Sequence, residues 1–115
     1  MKKFQFSLQK LKDFRDGELD RQKNALATLQ AELRRIEEAK QVVIDTVVVQ
    51  SEQLERVCRL GSTASDIAMR KRYIVTLQQE IHLKEFQIQQ KKAEIEKQLA
   101  VVVEATKDVR TLEKL

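Results

Sequence analysis

The residues able to do covalent or acid–base chemistry are few: one histidine, His82, and one cysteine, Cys58, in 115 positions. A nucleophile needs a base beside it, and a metal ion needs several convergent ligands. Neither residue sits in such a spacing, and the sequence has no glycine-rich phosphate loop. His82 reads as a solvated helix residue and Cys58 as an apolar residue flanking a seam. Catalysis, a cofactor or a metal is therefore not expected. What remains is aromatic and basic. Three of the four phenylalanines, Phe4, Phe6 and Phe14, fall in the opening stretch "MKKFQFSLQKLKDFRD". The densest basic run, "MRKRY" from Met69 to Tyr73, fans its three charges to different sides of a helix, which suits solubility better than a groove-binding stripe.

The elements that must carry these residues follow from composition. Charged residues make up 35% of the chain, aromatics 4%, and there are two glycines and no proline. A chain so poor in breakers has few places to turn, and its periodic apolar residues favour long helices over disorder. The net charge of +4 divides evenly, since residues 1–60 and 61–115 each carry a surplus of two, so neither half is a basic arm. Interspersed signs of this kind mark solvated helix faces. A single cysteine excludes an intramolecular disulfide, and with no signal-peptide pattern it suggests a reducing, cytosolic setting. No apolar run approaches the roughly 18 residues of a membrane span, so any membrane association would be peripheral.

The one interior loop candidate is "RLGSTASD", Arg59 to Asp66. Gly61 suits the left-handed conformation that closes a helix, and Ser62 or Thr63 suits the cap of the next. Thr63 with Asp66 resembles a capping box with a shortened acid. Beyond it, Ile67, Ile74, Ile81, Ile88, Ile95, Val102 and Val109 recur at a seven-residue step. All are β-branched, the mark of a coiled-coil seam. Their companions are Arg70, Leu77, Lys84, Lys91, Gln98, Ala105 and Leu112. The first half answers with Leu26, Leu33, Lys40, Val47 and Leu54, and with Leu29, Ile36, Val43, Gln50 and Val57. The expected fold is all-α, a long antiparallel two-helix coiled-coil hairpin forming a single domain over residues 1–115. Helix 1 is expected at about 3–60, the turn at 61–63 and helix 2 at 64–115. Residues whose numbers total about 124 then face each other, which sets Val43 on Ile81, Val47 on Leu77 and, unfavourably, Lys40 on Lys84. "VVIDTVVV" from Val42 to Val49 has strand-like composition, but the heptads run through it and it is assigned to helix.

Near the amino end the seam runs Phe4, Leu8, Leu11, Arg15, Leu19, Gln22, Leu26. Two consecutive steps of four at Leu11, Arg15 and Leu19 form a stutter, which locally unwinds a supercoil, and Gly17 lies inside it. Phe14 borders the seam and Phe6 points away from it; if Ser7 is instead the cap, Phe6 and Leu11 form a hydrophobic staple. Either way at least one ring has no home inside a two-helix hairpin. Exposed rings at a tip mark a docking site, the alternative being a frayed terminus.

"KFQFSLQKLKDFRD" resembles the amino-terminal signature of FliJ, the flagellar type III export family, with its "F-x-F-x-L-x-x-L-x-x-x-R" start. "RYIVTLQQEIHLKEFQIQQKKAEIEKQ" is similar to the family's second-helix pattern, and "VRTLEKL" to the beginning of its Leu-Glu-Lys-Leu segment, beyond which the family pattern continues. The resemblance implies a non-catalytic export component like the central stalk of a rotary ATPase. It implies three partners: the export ATPase ring, the membrane-embedded export gate and unloaded export chaperones. It also implies a place in the cytoplasm or on the cytoplasmic face of the membrane at the flagellar base. Carried over residue by residue, it makes Phe4, Phe6, Leu8, Leu11, Phe14 and Arg15, with Leu112 and Leu115 opposite, the ATPase-facing candidates. Tyr73 and Leu77 become the gate-facing candidates, while Thr46 and Gln50 stand where some relatives have tyrosines. An equivalent stalk of a virulence secretion system is the nearest alternative. A basic coiled coil binding nucleic acid or anionic lipid is the alternative from another class; it would need basic residues gathered on one face, and no nucleic acid is expected.

Overall fold

A computed structural model describes residues 2–115, and these form two helices, α1 (Lys2–Leu60) and α2 (Ala64–Glu113). The fold is the antiparallel two-helix coiled-coil hairpin that the heptads imply, with no strand among the described residues. The β-branched run Val42–Val49 is helical throughout. Helix propensity costs a Val or Ile only tenths of a kcal/mol, so tertiary contact at the heptad positions decides the outcome.

The turn is built as its residue types require. Gly61 has φ of 90°, in the left-handed region, and its amide donates to the Val57 carbonyl at 2.9 Å, closing α1. Thr63 caps α2: its Oγ1 accepts a hydrogen bond from the Asp66 amide at 3.0 Å. The Asp66 carboxylate accepts instead from Ser62 Oγ at 2.8 Å and from Arg70 Nε at 3.2 Å. The capping box is thus half made, because an aspartate is one methylene shorter than the glutamate that usually reaches back.

The helices gather into two compact units. Leu33–Gln90 contains the turn, and its seam buries Val43, Leu77 and Ile88, with Leu33, Ile36, Val47, Leu54, Ile67, Ile74 and Ile81 half-buried. The other unit, Met1–Glu32 with Lys91–Leu115, buries Val109 and Leu112, with Leu8, Leu19, Leu26, Leu29, Ile95 and Val102 half-buried. Polar partners across the helices fix the register: Gln22 with Gln98, Glu32 with Lys91, Arg15 with Asp108, and Lys40 with Glu85. The totals of their residue numbers run from 120 to 125, around the expected 124. The awkward Lys40–Lys84 pairing is relieved because Lys40 Nζ swings to Glu85 Oε1 at 3.5 Å.

The seam at the amino end departs from expectation. Leu8, Arg15 and Leu19 are half-buried, but Phe4 and Leu11 are exposed and Lys12 is half-buried. The three successive half-buried residues Gly17, Glu18 and Leu19 show the contact line drifting across α1 at the stutter. That drift carries Leu11 to the edge of the interface.

Two measurements check this account. Ile88→Ala should cost about 2–4 kcal/mol in thermal or denaturant unfolding, while Phe86→Ala, on the exposed side two residues away, should stay within about 0.5 kcal/mol. Asp66 has its pKa lowered, first by the Ser62 hydrogen bond and then by Arg70. A depressed folded-state pKa means its stabilisation is present above the ordinary carboxylate range and is lost as pH falls through the lowered value. The stability difference between the wild type and Asp66→Asn should therefore shrink on acidification; a difference independent of pH would contradict the assignment.

Candidate functional site

The amino-terminal turns of α1 and the carboxy-terminal turns of α2 come together in one unit, and they bring most of the candidate residues with them. Leu112 is the anchor, only 9% exposed. A shallow groove on one side of it is lined by Leu11, Arg15, Asp108, Thr111 and Leu112. On the other side a second groove is lined by Gln9, Lys12, Asp16, Val109, Leu112 and Glu113. Leu115, past the end of α2, is exposed, and its amide donates to the Leu112 carbonyl at 3.1 Å. Arg15 Nη1 lies 3.7 Å from Asp108 Oδ2 across the groove, and its guanidinium carbon stands 5.7 Å from the centre of the Phe14 ring. This exposed ion pair orients more than it stabilises.

Phe4, Leu11 and Phe14 are exposed at 68%, 42% and 57%. By helical spacing they fall along one apolar margin of α1, and of them Leu11 lines the first groove with Leu112. Phe6 is not part of it. Its ring is equally exposed but carries Lys10 Nζ over its face, 4.7 Å from the centroid.

Behind this tip the seam is locked by polar groups that no apolar tally would have picked out. Gln98 Nε2 donates to Gln22 Oε1 at 2.7 Å and to the Gln22 carbonyl at 3.0 Å. Gln22 Nε2 in turn donates to Glu18 Oε1 at 2.9 Å. The Glu18 pKa is lowered, chiefly by the Arg21 hydrogen bond and next by Gln22. Further along, Lys91 Nζ bridges Glu32 at 2.7 Å and Glu94 at 3.2 Å, which raises its pKa, with Glu32 the larger cause. The signal was present in the sequence as polar residues at the companion positions of the heptad.

The two gate-facing candidates lie in the other unit and differ in access. Leu77 is buried in the seam at 6% exposure, so its side chain holds the helices together. Tyr73 is exposed and lines an open groove with Gln50, Asp66, Met69 and Arg70. Thr46 lines a neighbouring patch with Val42, Asp45 and Val49, two of them exposed valines. His82 sits on the outer surface with Nδ1 3.5 Å from Glu85 Oε2, and Cys58 is a free exposed thiol. Among the described residues no three His, Cys, Asp or Glu side chains cluster as metal ligands would, and no helix is long and apolar enough to cross a membrane.

A hairpin with polar register locks and exposed rings at one end is a coiled coil of two antiparallel helices. The family model described as flagellar FliJ protein matches residues 4–115, essentially the whole sequence, and the chain belongs to that family. Membership implies a component of the flagellar export apparatus. No curated protein and no solved structure matches it.

The glutamine lock makes its own prediction. Gln98→Leu should raise the unfolding midpoint, because it exchanges a polar seam residue for an apolar one, and should loosen register, seen as additional associated species by native mass spectrometry. A lower midpoint with an unchanged mass distribution would contradict the lock as a register device.

Proposed function

We propose that this chain is a non-catalytic stalk of the flagellar export apparatus, docking on the export ATPase ring through the end where its two helix termini meet. The observation that supports it is the exposed apolar margin of Phe4, Leu11 and Phe14 on α1, with Leu11 and Leu112 lining one groove between the helices. Three large side chains held 42% to 68% in water on a regular helix are a cost to the free protein that a binding partner removes. Membership of the family supports a partner within the flagellar export apparatus. Leu8 and Arg15, half-buried beneath this margin, set its shape instead of offering contact area.

The same reading extends to the export gate and to export chaperones, with the cytoplasmic face of the membrane as the place of work. For the gate, the accessible contribution is Tyr73 with the groove beside it, and Leu77 acts from inside by fixing the helix that presents it. A tyrosine with an apolar ring and a polar tip suits a partner surface that is only partly dry.

Phe4→Ala combined with Leu11→Ala should reduce co-purification with the export ATPase at least tenfold while leaving helicity by circular dichroism unchanged, since both side chains are exposed. Retained ATPase capture by that double variant would remove the tip from the proposed interface.

A further inference from the structure

Counted by halves, the charge of this chain is even; counted by helix turns, it is not. Lys2, Lys3, Lys10 and Lys12 fall before the first acid, Asp13, and the net charge of the whole chain is +4. Residues 13–115 therefore balance, with 18 basic and 18 acidic side chains, and the entire surplus sits on the first three turns of α1. Those turns hold no acidic residue at the helix start. Lysines beside the positive end of a helix dipole oppose helix formation, so the arrangement does not serve folding.

Three of these four lysines share a face with a ring. Lys2, Lys3, Phe6 and Lys10 are all exposed, and their spacings of three and four residues align them along the helix. The seam side of the same turns is marked by half-buried Leu8, Lys12 and Arg15, so the Lys–Phe ridge is turned away from α2. Phe14, four residues past Lys10, stands between this ridge and the apolar margin. Asp13, the first acid in the sequence, accepts a hydrogen bond from Gln9 Nε2 at 2.9 Å.

We propose that this ridge docks on an anionic lipid surface, with Phe6 entering the headgroup layer and Lys2, Lys3 and Lys10 reaching lipid phosphates. Lys10, seated over the Phe6 ring, makes a combined apolar and cationic head of the kind that lies at a membrane interface. The ridge is convex and faces outward, which suits a flat surface and not a socket. Its cations are all lysines, although the chain also uses arginine freely. Lysine is a flexible point charge suited to a diffuse field of headgroups, whereas arginine forks suit the fixed carboxylates of a protein partner. The inference is independent of the ATPase reading, which uses the other flank of the tip.

The test is co-sedimentation of the full chain with vesicles of phosphatidylcholine alone or with about one third phosphatidylglycerol, a content that sets a negative surface potential. The chain should bind the anionic vesicles and not the neutral ones, and should release at about 1 M salt, where the Debye length is ~3 Å. Each lysine near such a surface is worth about fivefold in binding, so Lys2→Gln, Lys3→Gln and Lys10→Gln together should weaken it about a hundredfold. Phe6→Ala should weaken it further with helicity intact, and the Phe4→Ala, Leu11→Ala variant should bind vesicles as the wild type does. Absent binding to anionic vesicles, equal binding to neutral ones, or an unaffected triple lysine variant would overturn the proposal. Low-salt binding to a polynucleotide without vesicle binding would overturn it in favour of nucleic acid.

Discussion

A contact between only two helices buries a line and never a volume. Among the described residues no side chain is fully buried, and the seam reaches its limit at residues such as Leu77 and Ile88, still 6% and 7% exposed. Everything else in the molecule answers to that constraint. A β-branched residue at every seventh position of α2 is what makes so thin a contact sufficient: its few rotamers lose little freedom on packing, and each residue returns to the same side of the supercoil. The same constraint explains why so many large apolar residues, Leu83, Phe86 and Val42 among them, stay in water. With only one partner helix, five of the seven heptad positions have nothing to pack against.

A thin apolar line specifies attraction better than it specifies register. Ile and Val at equal spacing would accept a shift by one heptad with modest loss. The polar residues set into the seam remove that freedom. Gln98 finds both an amide and a carbonyl on Gln22 only in the observed alignment, and Lys91 finds Glu32. Slipped by seven residues, these groups would face apolar neighbours without partners, at a cost of roughly 1–3 kcal/mol for each one desolvated. Residues that weaken the seam in isolation thereby choose among its alternatives.

The heptads, the breaker at Gly61 and the cap at Thr63 made the fold readable before any coordinates, because each is a local rule with one structural meaning. What the rules could not reach was how side chains settle against one another. Lys40 was legible as a clash with Lys84, yet a four-carbon stem reaches Glu85 instead. Leu11 was legible as a seam residue by spacing, but the stutter rotates the contact line and exposes it. Leu77 was legible both as a seam residue by its heptad and as a gate-facing residue by a family pattern; it faces inward, as the heptad has it, since a motif match does not say which way a side chain points. The clustering of positive charge escaped because half-chain sums average over about sixteen turns, while a surface responds to the charge within one Debye length.

Division of labour at the tip follows from the same geometry. A helix with one side committed to a seam has two flanks and a back, and at the start of α1 these differ in chemistry. The flank beside Leu112 is apolar and concave, roofed by both helices and crossed by a single ion pair. The back is convex, aromatic and cationic, with Lys10 over Phe6. Phe14 sits between them, with Arg15 near its ring. A surface that grips the concave flank need not cover the back, so one end of a hairpin is able to hold two unlike partners at once. Where the fold can hide almost nothing, function is set by which exposed residues share a flank.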